Sequence, residues 1–82
     1  MNASQIRDAI AQVLSTIAPE VEFAALDPQS PLRDQIDLDS MDWLNVLVGL
    51  HERLKVDIPE SDYARLVSLD DLVSYLAAKR PA

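Results

Sequence analysis

Apolar residues recur near the start of the chain at spacings of three and four: Ile6, Ile10, Val13, Leu14 and Ile17. That is the period of a helix with one buried stripe. The spacing predicts a first helix that Asn2 or Ser4 caps and Pro19 ends. From about Pro19 to Asp39 the helical period is lost. This stretch holds Pro19, Pro28 and Pro31, yet also Val21, Phe23, Leu26, Leu32 and Ile36. A solvated linker has no use for so many apolar side chains, so an ordered loop pinned to the core is expected. The pattern returns at Ser40 and predicts a second helix to Arg53 or Leu54. Met41, Trp43, Leu44, Val46, Leu47, Val48, Leu50 and Leu54 cover well over half of its wheel. Asp42, Asn45, Gly49, Glu52 and Arg53 are left as a polar strip. Such a helix packs centrally or uses part of its apolar surface on a partner.

A short third helix is expected at about Glu60 to Leu66, because Pro59 suits a first helical turn. Ser68, with Asp71 three residues later, forms a variant of the capping box and opens a fourth helix. Leu69, Leu72, Val73 and Leu76 give that helix its apolar face. Lys79 and Arg80 complement its C-terminal dipole, and Pro81 stops it. No repeat, low-complexity tract or strand pattern is visible. The predicted fold class is therefore all-α: a small four-helix bundle with three longer helices, one short third helix and a long ordered first loop.

Composition narrows the chemistry. Eighty-two residues make one domain, 1–82. There is no cysteine, which excludes disulfides, thiolate zinc sites and cysteine nucleophiles. The formal net charge is −7, so nucleic acid and anionic membranes are poor partners and basic proteins suitable ones. The segment Met1 to Arg7 has no basic head and no unbroken apolar run, so no signal peptide is visible. Nothing approaches the roughly 20 apolar residues of a membrane span. A soluble, cytoplasmic, free-standing monomer is the expectation.

Ser40 sits where the second helix begins, after the acidic run Asp37, Asp39 and before Asp42. A helix start offers open N–H groups and a positive dipole end, which suit an anion. The serine is either a plain helix cap or an attachment point for a phosphate-containing group. A self-contained hydrolase fits poorly. His51, the only histidine, lies eleven residues along the same helix, roughly 16 Å away along the axis, and Lys55 lies farther still. Asp34, Asp37, Asp39 and Asp42 are hard-cation ligands by type. They do not follow the calcium-loop pattern, and a solvated acidic loop end is the simpler reading.

The whole pattern resembles an acyl carrier protein: an amphipathic first helix, a long loop, Asp39-Ser40-Met41 opening the second helix, Ile58-Pro59-Glu60, and a capped last helix. The resemblance implies that 4′-phosphopantetheine is attached to Ser40. It also implies that Asp39 serves recognition by the phosphopantetheinyl transferase and its magnesium; an N-cap or a partner of the helix dipole is the other reading of Asp39, compatible with the first. The other implied partners are an acyl-loading ligase or acyltransferase, and a ketosynthase or other acyl-processing enzymes. Such a protein is not itself an enzyme.

Met41, Asn45, Val48 and Glu52 are spaced by four, three and four along one side of the second helix. By the resemblance they form the partner-docking stripe, with Met41 and Val48 as apolar contacts and Asp42 and Glu52 as charges. The alternative places Met41 and Val48 in the core. Asn45 and His51 stand where the family often has glutamate. Asp37 replaces a common glycine, and aspartate can tolerate the left-handed backbone that glycine favours there, at some cost. Leu38 adds bulk beside the attachment point. These departures point to a carrier dedicated to one pathway. An aminoacyl or peptidyl carrier, and an unmodified helical interaction module, are the alternatives. Trp43 belongs to the core, or lines the space in which the family shelters an acyl chain. Tyr63 and Tyr75 are packing residues with polar tips, and Gly49 has no evident role.

Overall fold

The computed structural model describes residues 2–79. Helix α1, Ala3–Ile17, forms where the first apolar stripe predicts it and buries Ile6, Ala9, Ile10, Val13 and Leu14. Asn2 is its cap, in a reciprocal box: the Gln5 N–H donates to Asn2 Oδ1 at 2.9 Å, and the Asn2 N–H to Gln5 Oε1 at 3.0 Å. Ser4 lies inside the helix. The C-terminal end closes when the Ala18 N–H donates to Leu14 O at 2.7 Å, one residue before Pro19.

The connection that follows is ordered, as its apolar content requires. It contains a 3₁₀ turn at Phe23–Ala25 and a single turn of helix, α2, Leu32–Gln35. Leu32 and Ile36 are buried, while Val21, Phe23 and Leu26 pack against the core. Polar groups staple the loop to itself. Asp27 accepts from the Gln29 N–H at 2.9 Å and the Ser30 hydroxyl at 3.0 Å. The first of these, reinforced by the second, holds the Asp27 carboxyl below its ordinary pKa. The Gln35 amide accepts from the Asp27 N–H at 2.7 Å and donates to Asp27 O at 2.9 Å.

Helix α3, Ser40–Leu54, packs against α1. Trp43, Val46, Leu47, Leu50 and Leu54 are buried, while Met41, Leu44 and Val48 face outward. The broad apolar surface of α3 is therefore divided between the core and an exposed side. Gly49 now has an explanation: a Cβ there would sit 3.0 Å from Val13 Cγ1, so the glycine lets α1 approach. At the far end Lys55 takes the left-handed conformation, φ 56°, and a His51 ring nitrogen hydrogen-bonds Val56 O at 2.7 Å.

The short third helix is a 3₁₀ helix, Glu60–Arg65, and not a turn of α. Its ends bond three residues apart: the Asp62 N–H donates to Pro59 O at 2.9 Å and the Leu66 N–H to Tyr63 O at 3.1 Å. A three-residue period puts Tyr63 and Leu66 on one side, and buried Ile58 and Leu66 anchor the segment at both ends. Helix α4, Leu69–Lys79, buries Leu69, Leu72 and Leu76. Its box forms as predicted. The Asp71 N–H donates to Ser68 Oγ and the Ser68 N–H to Asp71 Oδ2, each at 3.1 Å. The expected contributions of Arg80 and Pro81 lie outside the described residues. One β-bridge, Pro31 to Ser68, ties the long loop to the start of α4, with the Leu32 N–H donating to Val67 O at 2.9 Å. The bundle is therefore all-α apart from this bridge.

Candidate functional site

The approach to Ser40 is set by four residues that alternate between inside and outside. Ile36 and Leu38 are buried, and Asp37 and Asp39 are exposed. The bulk of Leu38 thus goes into the core and does not crowd Ser40. Asp37 does not take the left-handed backbone either. Among the described residues only Lys55 has a positive φ, because the short turn here closes by Leu38 N–H to Ile36 O at 2.8 Å. Two buried anchors immediately before α3 fix where its first turn points.

Asp39 is the cap. Its Oδ1 accepts from the Asp42 N–H at 2.8 Å, and its carbonyl accepts from the Trp43 N–H at 2.9 Å. Ser40 is one residue further on, at the first helical position, and is exposed. The plain-cap role considered for Ser40 therefore belongs to its neighbour. Among the described residues the Ser40 hydroxyl has no hydrogen-bond partner, and the Ser40 and Met41 N–H groups have no protein acceptor. A helix start presents these donors and its positive dipole end together. The arrangement suits an anion covalently held at Ser40 Oγ, so the residues present fit a phosphodiester.

His51 lies three turns along α3 and is engaged with Val56 O. Among the described residues, no three His, Cys, Asp or Glu side chains converge to hold a metal ion.

The residues of the expected stripe lie on the exposed side of α3. Met41 is 65% exposed and Val48 40%, so both are outside the core. Asn45 and Glu52 are exposed and Asp42 half-buried. Leu44, 38% exposed, joins them. Its three- and four-residue spacings from Met41 and Val48 were the available signal, but on a helix so broadly apolar they do not separate inside from outside.

A family model described as "Phosphopantetheine attachment site" matches residues 4–76. The chain belongs to the acyl carrier protein family. Its relatives include the acyl carrier protein of Campylobacter concisus, 31% identical over 71 residues that cover 87% of this chain and 86% of that protein. The acyl carrier protein of Campylobacter fetus is 29% identical over 72 residues, 88% of this chain and 87% of the relative. That of Campylobacter curvus is 30% identical over 71 residues. The prosthetic group of this acyl carrier protein is 4′-phosphopantetheine. Family membership implies a phosphopantetheinyl transferase and acyl-processing enzymes as partners. No helix among the described residues is long and apolar enough to cross a membrane.

Proposed function

We propose that Ser40 carries the phosphopantetheine arm and that the chain is a non-enzymatic carrier dedicated to one pathway of fatty-acid, lipid or polyketide type. The observation that supports this best is the Ser40 hydroxyl: exposed, without a hydrogen-bond partner among the described residues, and held at the first position of α3 while Asp39 does the capping. A transferase takes the hydroxyl proton, so the distance of His51 from Ser40 is no obstacle. The arm, once attached, supplies the thiol that this cysteine-free chain lacks. The chain's own residues do the rest. The first-turn amides of α3 would hold the phosphodiester, and Ile36 and Leu38 hold the turn in place.

Asp39 in this reading has two roles, cap and recognition element for the transferase and its magnesium. Met41, Leu44 and Val48 form an apolar stripe flanked by Asp42, Asn45 and Glu52. It suits partners that present a small apolar pocket rimmed by basic residues. A loading ligase or acyltransferase and a ketosynthase are the partners that such a carrier serves in turn.

The test is intact-protein mass after incubation with coenzyme A, magnesium and a broad-specificity transferase. The native chain gains one phosphopantetheine and Ser40→Ala gains none. No gain in folded native protein across several transferases refutes the assignment. Dedication is tested separately: turnover by general fatty-acid synthase enzymes at the rate of their own carrier would overturn it.

A further inference from the structure

The first loop carries a groove of about 430 Å³ with an apolar floor. Val21 and Leu26 are half-buried there, Ile36 is buried, and Ala25 is exposed at the edge. The rim is acidic. Glu20, Glu22 and Asp37 line it and no cation does. Among the described residues none of these three carboxylates forms a salt bridge. Two other grooves mix the signs: Asp62 and Asp71 share one with Arg65 and Lys79, and Glu52 shares the other with Arg53.

The walls are set by the chain's own hydrogen bonds. The Val21 N–H donates to Ala18 O at 3.1 Å, the Ala25 N–H to Glu22 O at 3.0 Å and the Leu26 N–H to Phe23 O at 3.2 Å. On the other side the Gln35 amide is tied to Asp27 in both directions. A partner therefore has little of the loop left to order on binding.

Floor and charge together select the occupant. Apolar residues beneath three carboxylates suit a cation on an aliphatic stem. Arginine fits better than lysine, because its planar fork engages carboxylates in pairs and is more weakly hydrated. A second copy of this chain, with its formal net charge of −7, brings repulsion instead. Asp37 lies three residues before Ser40, so the groove ends beside the attachment turn. Enzymes that act at the end of a flexible arm can stand off from that turn. The transferase cannot, because it has to bring its active site onto Ser40 Oγ. An interface of ordinary size then covers about 20–30 residues a side.

We propose that the first-loop groove docks an arginine of the phosphopantetheinyl transferase, held by Glu20, Glu22 and Asp37 over Val21, Leu26 and Ile36. The proposal rests on the reading of Ser40 as the attachment point.

Two measurements test it. In the first, backbone amide shifts are followed by NMR as butylguanidinium, or its neutral isostere butylurea, is added to the chain. Butylguanidinium moves the amides of Val21, Leu26, Ile36 and Asp37, and butylurea does not. Equal responses to the two, or shifts confined to the head of α3, overturn the occupant. In the second, initial rates of transfer by a broad-specificity transferase are measured against carrier concentration. The rim variant, Glu20→Gln with Glu22→Gln and Asp37→Asn, raises KM about tenfold with kcat kept, the worth of one charge-assisted pair. Asp8, Asp57 and Glu60 are exposed and outside the groove. The control variant, Asp8→Asn with Asp57→Asn and Glu60→Gln, loses the same charge and raises KM much less. Ala25→Lys stands three residues after Glu22, on the same side of a 3₁₀ turn. It puts the chain's own cation into the groove and raises KM as the rim variant does. Equal KM in the rim and control variants overturns the docking site and leaves Ser40 in place. Failure of the folded native chain to load overturns the attachment reading, and the docking with it.

Discussion

Replacing Asp39 separates its two proposed roles, because alanine and asparagine remove different things. Asp39→Ala deletes the acceptor that holds the Asp42 N–H at 2.8 Å. Loss of such a cap costs about 1 kcal/mol, within a range of about 0.5–2. In a domain of this size that lowers Tm by about 4–8 °C. Asp39→Asn keeps a side-chain oxygen in the same place, and asparagine ranks with aspartate as a cap. It loses only the charge at the helix start, about 0.3–1 kcal/mol, so its Tm falls less. Neither change unfolds the protein. Even a total stability of about 5 kcal/mol, reduced by 1, leaves more than about 99% of molecules folded. Lost modification therefore has to come from the carboxylate itself. Loss of a carboxylate that supports a metal site lowers metal affinity or activity by about 10–100-fold. Initial rates of phosphopantetheine transfer, followed by intact mass with magnesium saturating for the native chain, should fall by that factor in both variants despite their different Tm values. A native rate in Asp39→Asn would refute the recognition role and leave Asp39 as a cap alone.

Gly49→Ala gains about 1 kcal/mol of helix propensity but forces a Cβ to 3.0 Å from Val13 Cγ1. Val13 is β-branched and confined to one rotamer in its helix, so overpacking of about 1–3 kcal/mol dominates. Urea melts should show a net loss, and the same change on a Val13→Ala background should be neutral or stabilising. Lys55→Gly relieves the left-handed backbone at φ 56°; a rise in stability of about 1 kcal/mol is expected, and an unchanged urea midpoint would mean that Lys55 carries no strain. The Tyr75 phenol, desolvated and donating to Asp62 Oδ2 at 2.6 Å, is pushed up to about 12. A raised folded-state pKa gives a contribution fully present below the unfolded value of about 10 and lost as pH rises through the folded one. Stability of the native chain should fall across that alkaline window more steeply than that of Tyr75→Phe, and parallel curves would assign the loss elsewhere.

Local signals carried far in this chain. The apolar period of α1, the Asn2–Gln5 and Ser68–Asp71 boxes, and the start of α3 all lie within a few residues of sequence. Their physics is the geometry of one or two helical turns, so pattern alone suffices. The position of Ser40 at the opening of α3 was legible for the same reason. Which residue caps that helix depended on a register of one, and the Asp39–Asp42 spacing was the signal for it. The wheel of α3 showed more apolar surface than one core face needs, but not which residues face outward. That division is imposed by the elements packed against α3. The outward turn of Met41, Leu44 and Val48, the burial of Leu38 and the Gly49–Val13 approach all depend on segments distant in sequence. The 3₁₀ winding of Glu60–Arg65 likewise follows from anchors at both ends. The sequence by itself determined the helices, their caps and the serine at the head of α3, because those are decided by neighbours along the chain. Only the tertiary structure decided which surfaces go into the core and which stay exposed, because that is decided by neighbours across it.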